Sequence, residues 1–161
     1  MTLNLIRSIL FCFILLSPYL SHAQDNWYDY DHLYIQGGTY IHYSSSPDHD
    51  GPNILASVEA VKDSNWLTGL ALFDNSFGQF SQYLYVGKQW DYHGSLDGFH
   101  TKLTAGFIHG YRDQYKDKIA FNSHGIAPAI IPSIGYKKGR YGADVILLGL
   151  AGLVFTVGFD L

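Results

Sequence analysis

The segment from Leu153 to Leu161 constrains the fold more than any other part of the chain. Leu153, Phe155, Val157, Phe159 and Leu161 take alternate positions, while Gly152, Thr156, Gly158 and Asp160 take the positions between and beside them. A period of two belongs to a β-strand, whose successive side chains point to opposite faces. The preceding segment repeats the pattern: Tyr141, Ala143, Val145 and Leu147 alternate with Arg140, Gly142, Asp144 and Ile146. A charge on alternate positions of an apolar strand belongs in a lumen. Lipid would penalise it by up to about 2–4 kcal/mol at mid-membrane.

Strands of this kind are expected at 32–44, 54–62, 66–75, 80–90, 99–111, 126–137, 140–149 and 153–161. Each is close to the roughly 9–11 residues that a tilted strand needs to cross hydrocarbon. No segment after Ala23 has an apolar run suited to a membrane helix. Backbone groups in lipid must pair among themselves, so a membrane sheet has to close. The expected fold is therefore all-β, an eight-stranded antiparallel outer-membrane β-barrel. A secreted β-sandwich or lipocalin-like barrel is the soluble alternative. With the N-terminus on the periplasmic side, the outer connections are 45–53, 76–79, 112–125 and 150–152. The inner ones are Asp63-Ser64-Asn65, Tyr92 to Gly98 and Lys138-Gly139.

Composition narrows the class further. Charged residues make up 15% of the chain, against about 25% in an average soluble domain. Thirteen Tyr, ten Phe and three Trp carry too much apolar surface for a disordered chain. A net charge of −4 argues against a nucleic-acid partner.

Residues 1–23 read as a cleaved signal peptide, leaving 24–161 as the barrel domain. Arg7 precedes an apolar run from Ser8 to Leu20, and Ser21-His22-Ala23 offers small residues for a peptidase. Such a run is shorter than the roughly 20 residues of a membrane helix. The only cysteine, Cys12, lies within the signal. The exported chain is thus expected to lack disulfides, thiol nucleophiles and Cys-zinc sites, and to reside in the bacterial outer membrane.

Topology places His42 at the outer end of the first strand and Asn75-Ser76 at the outer end of the third. A base and a hydroxyl thus share one rim. Wetted polar rim residues are the plain alternative. Asp48-His49-Asp50 could ligate a cation but reads more simply as a solvated loop beside Pro47, Gly51 and Pro52, and Ser44-Ser45-Ser46 is ordinary loop composition. His93, His100, His109 and His124 show no ligand spacing, and no nucleophile elbow, zinc-protease or phosphate-loop motif is present.

Several blocks, in order, resemble the lipid A palmitoyltransferase family (PagP) from Leu33 to the C-terminus. They are Leu33-Tyr34-Ile35, Thr39-Tyr40-Ile41-His42, Phe73-Asp74-Asn75-Ser76-Phe77, Leu103-Thr104-Ala105-Gly106, and the run from Pro128 to Tyr136. The resemblance implies transfer of a palmitoyl chain from a glycerophospholipid donor to lipid A, with outer-membrane lipid as surroundings and no metal or cofactor. It implies His42, Asn75 and Ser76 as catalytic residues: His42 as general base, Ser76 positioning or polarising the reacting group or forming an acyl-enzyme, and Asn75 orienting one of them. Asn75 stands where the family has Asp, with Asp74 one residue earlier; either residue could fill the acidic role, although alternation along the strand would turn Asp74 away from the site. The resemblance further implies Gly87 as the floor of the acyl pocket and Pro132 as part of a lateral lipid gate, where proline removes a ladder donor. Gly149 is a candidate for loosening the facing strand. A lipid A deacylase or phospholipase barrel, and a non-enzymatic structural or adhesion barrel, are the competing readings. The last predicts a lumen packed with polar networks, whereas acyl transfer needs an apolar cavity beneath the rim.

Overall fold

A computed structural model describes residues 29–43 and 53–161. The proposed signal peptide, Ser44-Ser45-Ser46 and Asp48-His49-Asp50 lie outside the described residues. Eight strands follow one another: β1 (His32–His42), β2 (Ile54–Val61), β3 (Trp66–Asp74), β4 (Phe80–Asp91), β5 (Phe99–His109), β6 (Ile126–Lys138), β7 (Tyr141–Leu147) and β8 (Gly152–Asp160). Each pairs antiparallel with its sequence neighbour, and β1 pairs with β8 from Tyr34↔Asp160 to His42↔Gly152, closing the barrel. Closure removes every sheet edge except where pairing stops early.

Side chains are sorted inside out. Outward Leu84 and Ile130 are 65% and 72% exposed, whereas inward Glu59 and Lys102 are each 4% exposed. A water-soluble barrel would reverse that order. Trp66, Trp90, Phe99, Tyr136 and Tyr141 are exposed near the end where the chain enters β1 and leaves β8, and Phe99 packs edge-on against Tyr136 with ring centroids 5.1 Å apart. Aromatic rings gathered at one level of an apolar wall suit the boundary between hydrocarbon and headgroups. The barrel is compatible with an outer-membrane protein.

Among the strands that end earlier than their alternation suggests, β3, β5 and β7 have a local cause. β3 stops at Asp74 because the Asn75 side chain accepts from the backbone of Phe77 and Gln79 and turns the chain. β5 stops at His109, where Gly110 presses against Ser81. β7 stops at Leu147 because Leu148–Ala151 forms a tight turn, with the Ala151 N–H donating to the Leu148 carbonyl at 3.1 Å. Gly149 takes φ +61° there, a backbone state that glycine adopts without steric cost.

The end carrying the connections after β1, β3, β5 and β7 is called the loop end here, and the other the terminal end. The lumen differs between them. Towards the terminal end it is filled by a hydrogen-bonded charge network. Lys102 Nζ lies 2.9 Å from Glu59 Oε2 and 3.5 Å from Asp144 Oδ1. His100 Nε2 is 2.8 Å from the same Asp144 oxygen. Tyr85 donates to Glu59, Gln36 to Asp144, and Ser57 to Gln36. Gly135 makes the His100–Asp144 bond possible. It is paired with His100 on one side and Asp144 on the other, and a Cβ there would strike both side chains. Charges this deep are stable only when paired and fully bonded.

Candidate active site

Alternation along β1 turns Gln36, Tyr40 and His42 into the lumen. His42 is the last residue of β1, and Ser76 follows the end of β3 by two residues. The two meet across the rim: His42 Nε2 is 2.6 Å from Ser76 Oγ. This is the separation of a base and the hydroxyl it activates. The Tyr40 ring packs edge-on against the imidazole, centroids 4.6 Å apart.

Asn75 holds the turn that presents Ser76. It is 1% exposed, and its Oδ1 accepts the backbone N–H groups of Phe77 at 3.0 Å and Gln79 at 3.1 Å. Its Nδ2 donates to Gln79 Oε1 at 3.5 Å. The expectation that Asn75 orients His42 or Ser76 through a direct side-chain bond is therefore corrected. Its side chain is committed to the backbone of the turn, and Ser76 is positioned through that backbone. Asp74 is absent from the lining of the cavity below, while Asn75 and Ser76 contribute to it.

The segment after β5 folds over the rim. Phe77 stacks on Tyr115 at 4.2 Å and meets Tyr111 edge-on at 6.3 Å. Gln79 Oε1 accepts from the Arg112 backbone at 3.1 Å. Burial pushes the Tyr111 phenol up to about 12, so this side chain stays neutral at the mouth.

Beneath the dyad lies a cavity of about 720 Å³, walled by Leu55, Ala71, Phe73, Tyr83, Ile108 and Ile131. That volume falls within the roughly 300–1,000 Å³ typical of small-molecule sites. Its floor is the charge network, with Glu59, Tyr85 and Lys102 reaching into it. Gly87 is inward-facing but does not line the cavity. A Cβ at Gly87 would sit 2.9 Å from the Leu103 carbonyl oxygen and from Thr104 Cγ2, and 3.1 Å from Leu67 Cδ1. The place expected to be open is already filled by these neighbours. A second cavity of about 400 Å³ opens on the terminal side of the network, lined by polar groups including His32, Gln89, Asp91 and Lys137.

The cavity also breaches the wall. β6 pairs with β5 from Phe99↔Tyr136 up to His109↔Ile126, but with β7 only from Lys138↔Tyr141 to Ser133↔Ile146. Residues 126–132 thus have β5 on one side and no ladder on the β7 side. Pro132 stands at the boundary, facing outward. Residues two apart direct their backbone groups to the same side of a strand, so Pro128 and Pro132 remove two donors from one edge. The edge that can spare them is the one β7 leaves unpaired. Outward Pro128 and Ile130 line the cavity together with inward Ala129 and Ile131, so the opening runs from lumen to outer face. Gly149 lies on its far side, in the β7–β8 turn.

Sequence reasoning brought His42 and Ser76 to one rim but overlooked Tyr40 and Tyr111, whose parity and position were readable. The other histidines lie apart: His100 in the charge network, His109 accepting from Arg112 at 3.0 Å, His124 beside Ser123. Among the described residues no three His, Cys, Asp or Glu side chains cluster as a metal centre would. No protein-family model matches the chain, and no curated protein matches it.

Proposed function

We propose that this chain is an outer-membrane acyltransferase that moves a palmitoyl chain from a glycerophospholipid to lipid A. The observation that carries the reading is the 2.6 Å His42–Ser76 pair at the mouth of an apolar cavity. A polar dyad over a hollow, hydrocarbon-lined lumen suits an ester whose acyl tail lies below and whose carbonyl sits at the rim. The wall opening beside β6 supports it further, because a lipid in the surrounding leaflet can slide its tail through without leaving hydrocarbon.

We read Ser76 as the nucleophile rather than a merely positioning group, because its Oγ lies within hydrogen-bond reach of His42 Nε2, a base that can take its proton. His42 takes this proton as Ser76 Oγ attacks the donor ester carbonyl. The tetrahedral intermediate expels the glycerol oxygen, which leaves with the proton from His42. The acceptor hydroxyl of lipid A then repeats the sequence on the acyl-serine, again giving its proton to His42, which returns it to Ser76. The apolar hollow under the dyad disfavours a purely structural barrel, whose lumen would be bridged throughout by polar networks like that of Glu59, Lys102, Asp144 and His100.

The test is lipid A mass analysis from bacteria with and without the protein, alongside His42→Ala. Lipid A heavier by one acyl chain, lost in the variant, supports transfer. Lipid A lighter by one chain would make the protein a deacylase, and free fatty acid with unchanged lipid A would make it a phospholipase.

A further inference from the structure

Tyr40 carries a contradiction that the acyl-transfer reading resolves. The residue is 7% exposed, yet its hydroxyl has no hydrogen-bond partner among the described residues. A buried hydroxyl without a partner costs stability. It supports nothing in the resting fold, and a phenylalanine would fill the same space without that cost. Tyr34 also has an unpaired hydroxyl, but its ring lies 5.0 Å from Lys102 Nζ and 5.4 Å from Lys137 Nζ, so its aromatic face is in use. Tyr40 lies instead at the mouth of the larger cavity, whose lining it shares with His42 and Ser76.

Its surroundings say what the hydroxyl is aimed at. The ring packs against the imidazole of His42 at 4.6 Å. The Ser76 side chain lies close to that hydroxyl but outside the geometry of a formed hydrogen bond. Three groups therefore surround one spot: a base, the hydroxyl bonded to it, and a donor with nothing to donate to. Acyl transfer generates a partner at such a spot. When an oxygen attacks an ester carbonyl, the carbonyl π electrons move to its oxygen, and that oxyanion needs a preorganised donor.

We infer that Tyr40 is the oxyanion donor of this site, its hydroxyl held unpaired until the tetrahedral intermediate forms beside Ser76. The inference rests on the acyl-transfer reading and names a catalytic residue within it. Ser76 Oγ bonds to the carbonyl carbon while its proton goes to His42, and the charge settles on the carbonyl oxygen under the Tyr40 O–H. Tyr40 keeps its proton throughout. Collapse re-forms the carbonyl, breaks the bond to the glycerol oxygen and delivers the His42 proton to it. The same donor serves the second half, when the lipid A hydroxyl attacks the acyl-serine.

Tyr40→Phe tests this with one atom removed and the ring kept. The purified barrel in detergent should lose about 10²–10³-fold in kcat, keep KM within a few-fold, and retain its heat stability. Dodecylphosphonate supplies a second arm that needs no turnover, since its anionic tetrahedral head and single chain imitate the intermediate. Titration calorimetry should find it bound at least tenfold more weakly by Tyr40→Phe than by the parent barrel. Equal phosphonate affinity overturns the inference. A folded Tyr40→Phe barrel at near-parental rate, with His42→Ala inactive, also overturns it and leaves acyl transfer standing. A tenfold loss of phosphonate binding in a barrel that transfers no acyl chain supports the donor and overturns the transfer reading.

Discussion

The two halves of one lumen solve opposite problems with the same strands. Towards the terminal end, Glu59, Lys102, Asp144 and His100 interlock, and every one of these side chains has a partner. Towards the loop end, Ala71, Phe73, Ile108 and Ile131 leave a hollow between a polar mouth and the charged floor. An eight-stranded barrel is just wide enough for side chains to fill it. A cavity of this size therefore has to be made by small or flattened residues at chosen levels. The terminal half supplies rigidity, and the loop half spends it on space.

The contrast can be broken experimentally, and the largest effect is expected at the mouth. His42→Ala and Ser76→Ala should each lower acyl transfer by about 10³-fold or more, while the heat-dependent gel mobility of the barrel stays unchanged. Mouth residues that altered folding as strongly as activity would erase the distinction between the halves. In the terminal half the effect should fall on stability. Lys102→Ala leaves Glu59 and Asp144 buried without their cation and should cost about 3–5 kcal/mol, read by urea titration in detergent. Replacing the pair together, as Lys102→Met with Glu59→Gln, should recover most of that loss.

A third pair of variants locates the boundary between the halves. Ala71→Phe projects a ring into the hollow and should shorten the preferred donor chain in a detergent assay. Gly87→Ala meets packed atoms and should cost about 1–3 kcal/mol of stability with no change in chain preference. A shift in preference at Gly87 instead would put the floor of the pocket below the charge network. The smallest effect is expected at Asn75→Ala. Loss of its turn bonds, at about 1 kcal/mol, should slow transfer by roughly fivefold, far less than His42→Ala. A loss as large as that of His42→Ala would mean that Asn75 touches the reacting groups.

How far the sequence carried these conclusions depends on what kind of quantity was asked of it. Parity was legible: Ser81, Tyr83, Tyr85 and Gly87 alternate with outward residues in β4 as their composition suggests. Depth was not. Whether Gly87 opens space depends on Leu67, Leu103 and Thr104 from neighbouring strands, just as the space at Gly69 is taken by the Tyr85 ring. Such fits are set by register and ring rotamer, which a one-dimensional pattern does not contain. The meeting of His42 with Ser76 was legible because both close strands that point the same way. The unpaired hydroxyl of Tyr40 was not, since a missing partner is a property of the whole surroundings. The position of Pro132 hinted at a gap, but its extent came from the turn at Leu148–Ala151, which ends β7 while β6 continues.

The charge network has one more consequence, for permeability. A wall that parts to admit a hydrocarbon chain would be a hazard in a barrier membrane if solutes could follow the chain inward. Glu59, Lys102 and Asp144, each 4% exposed or less, lie between the two cavities, and Glu59 and Lys102 border both. Water and ions reaching the hollow from the loop end meet locked ion pairs rather than a channel. On the proposed reading, the same barrel would open sideways to oil while its ion pairs obstruct the lumen from end to end.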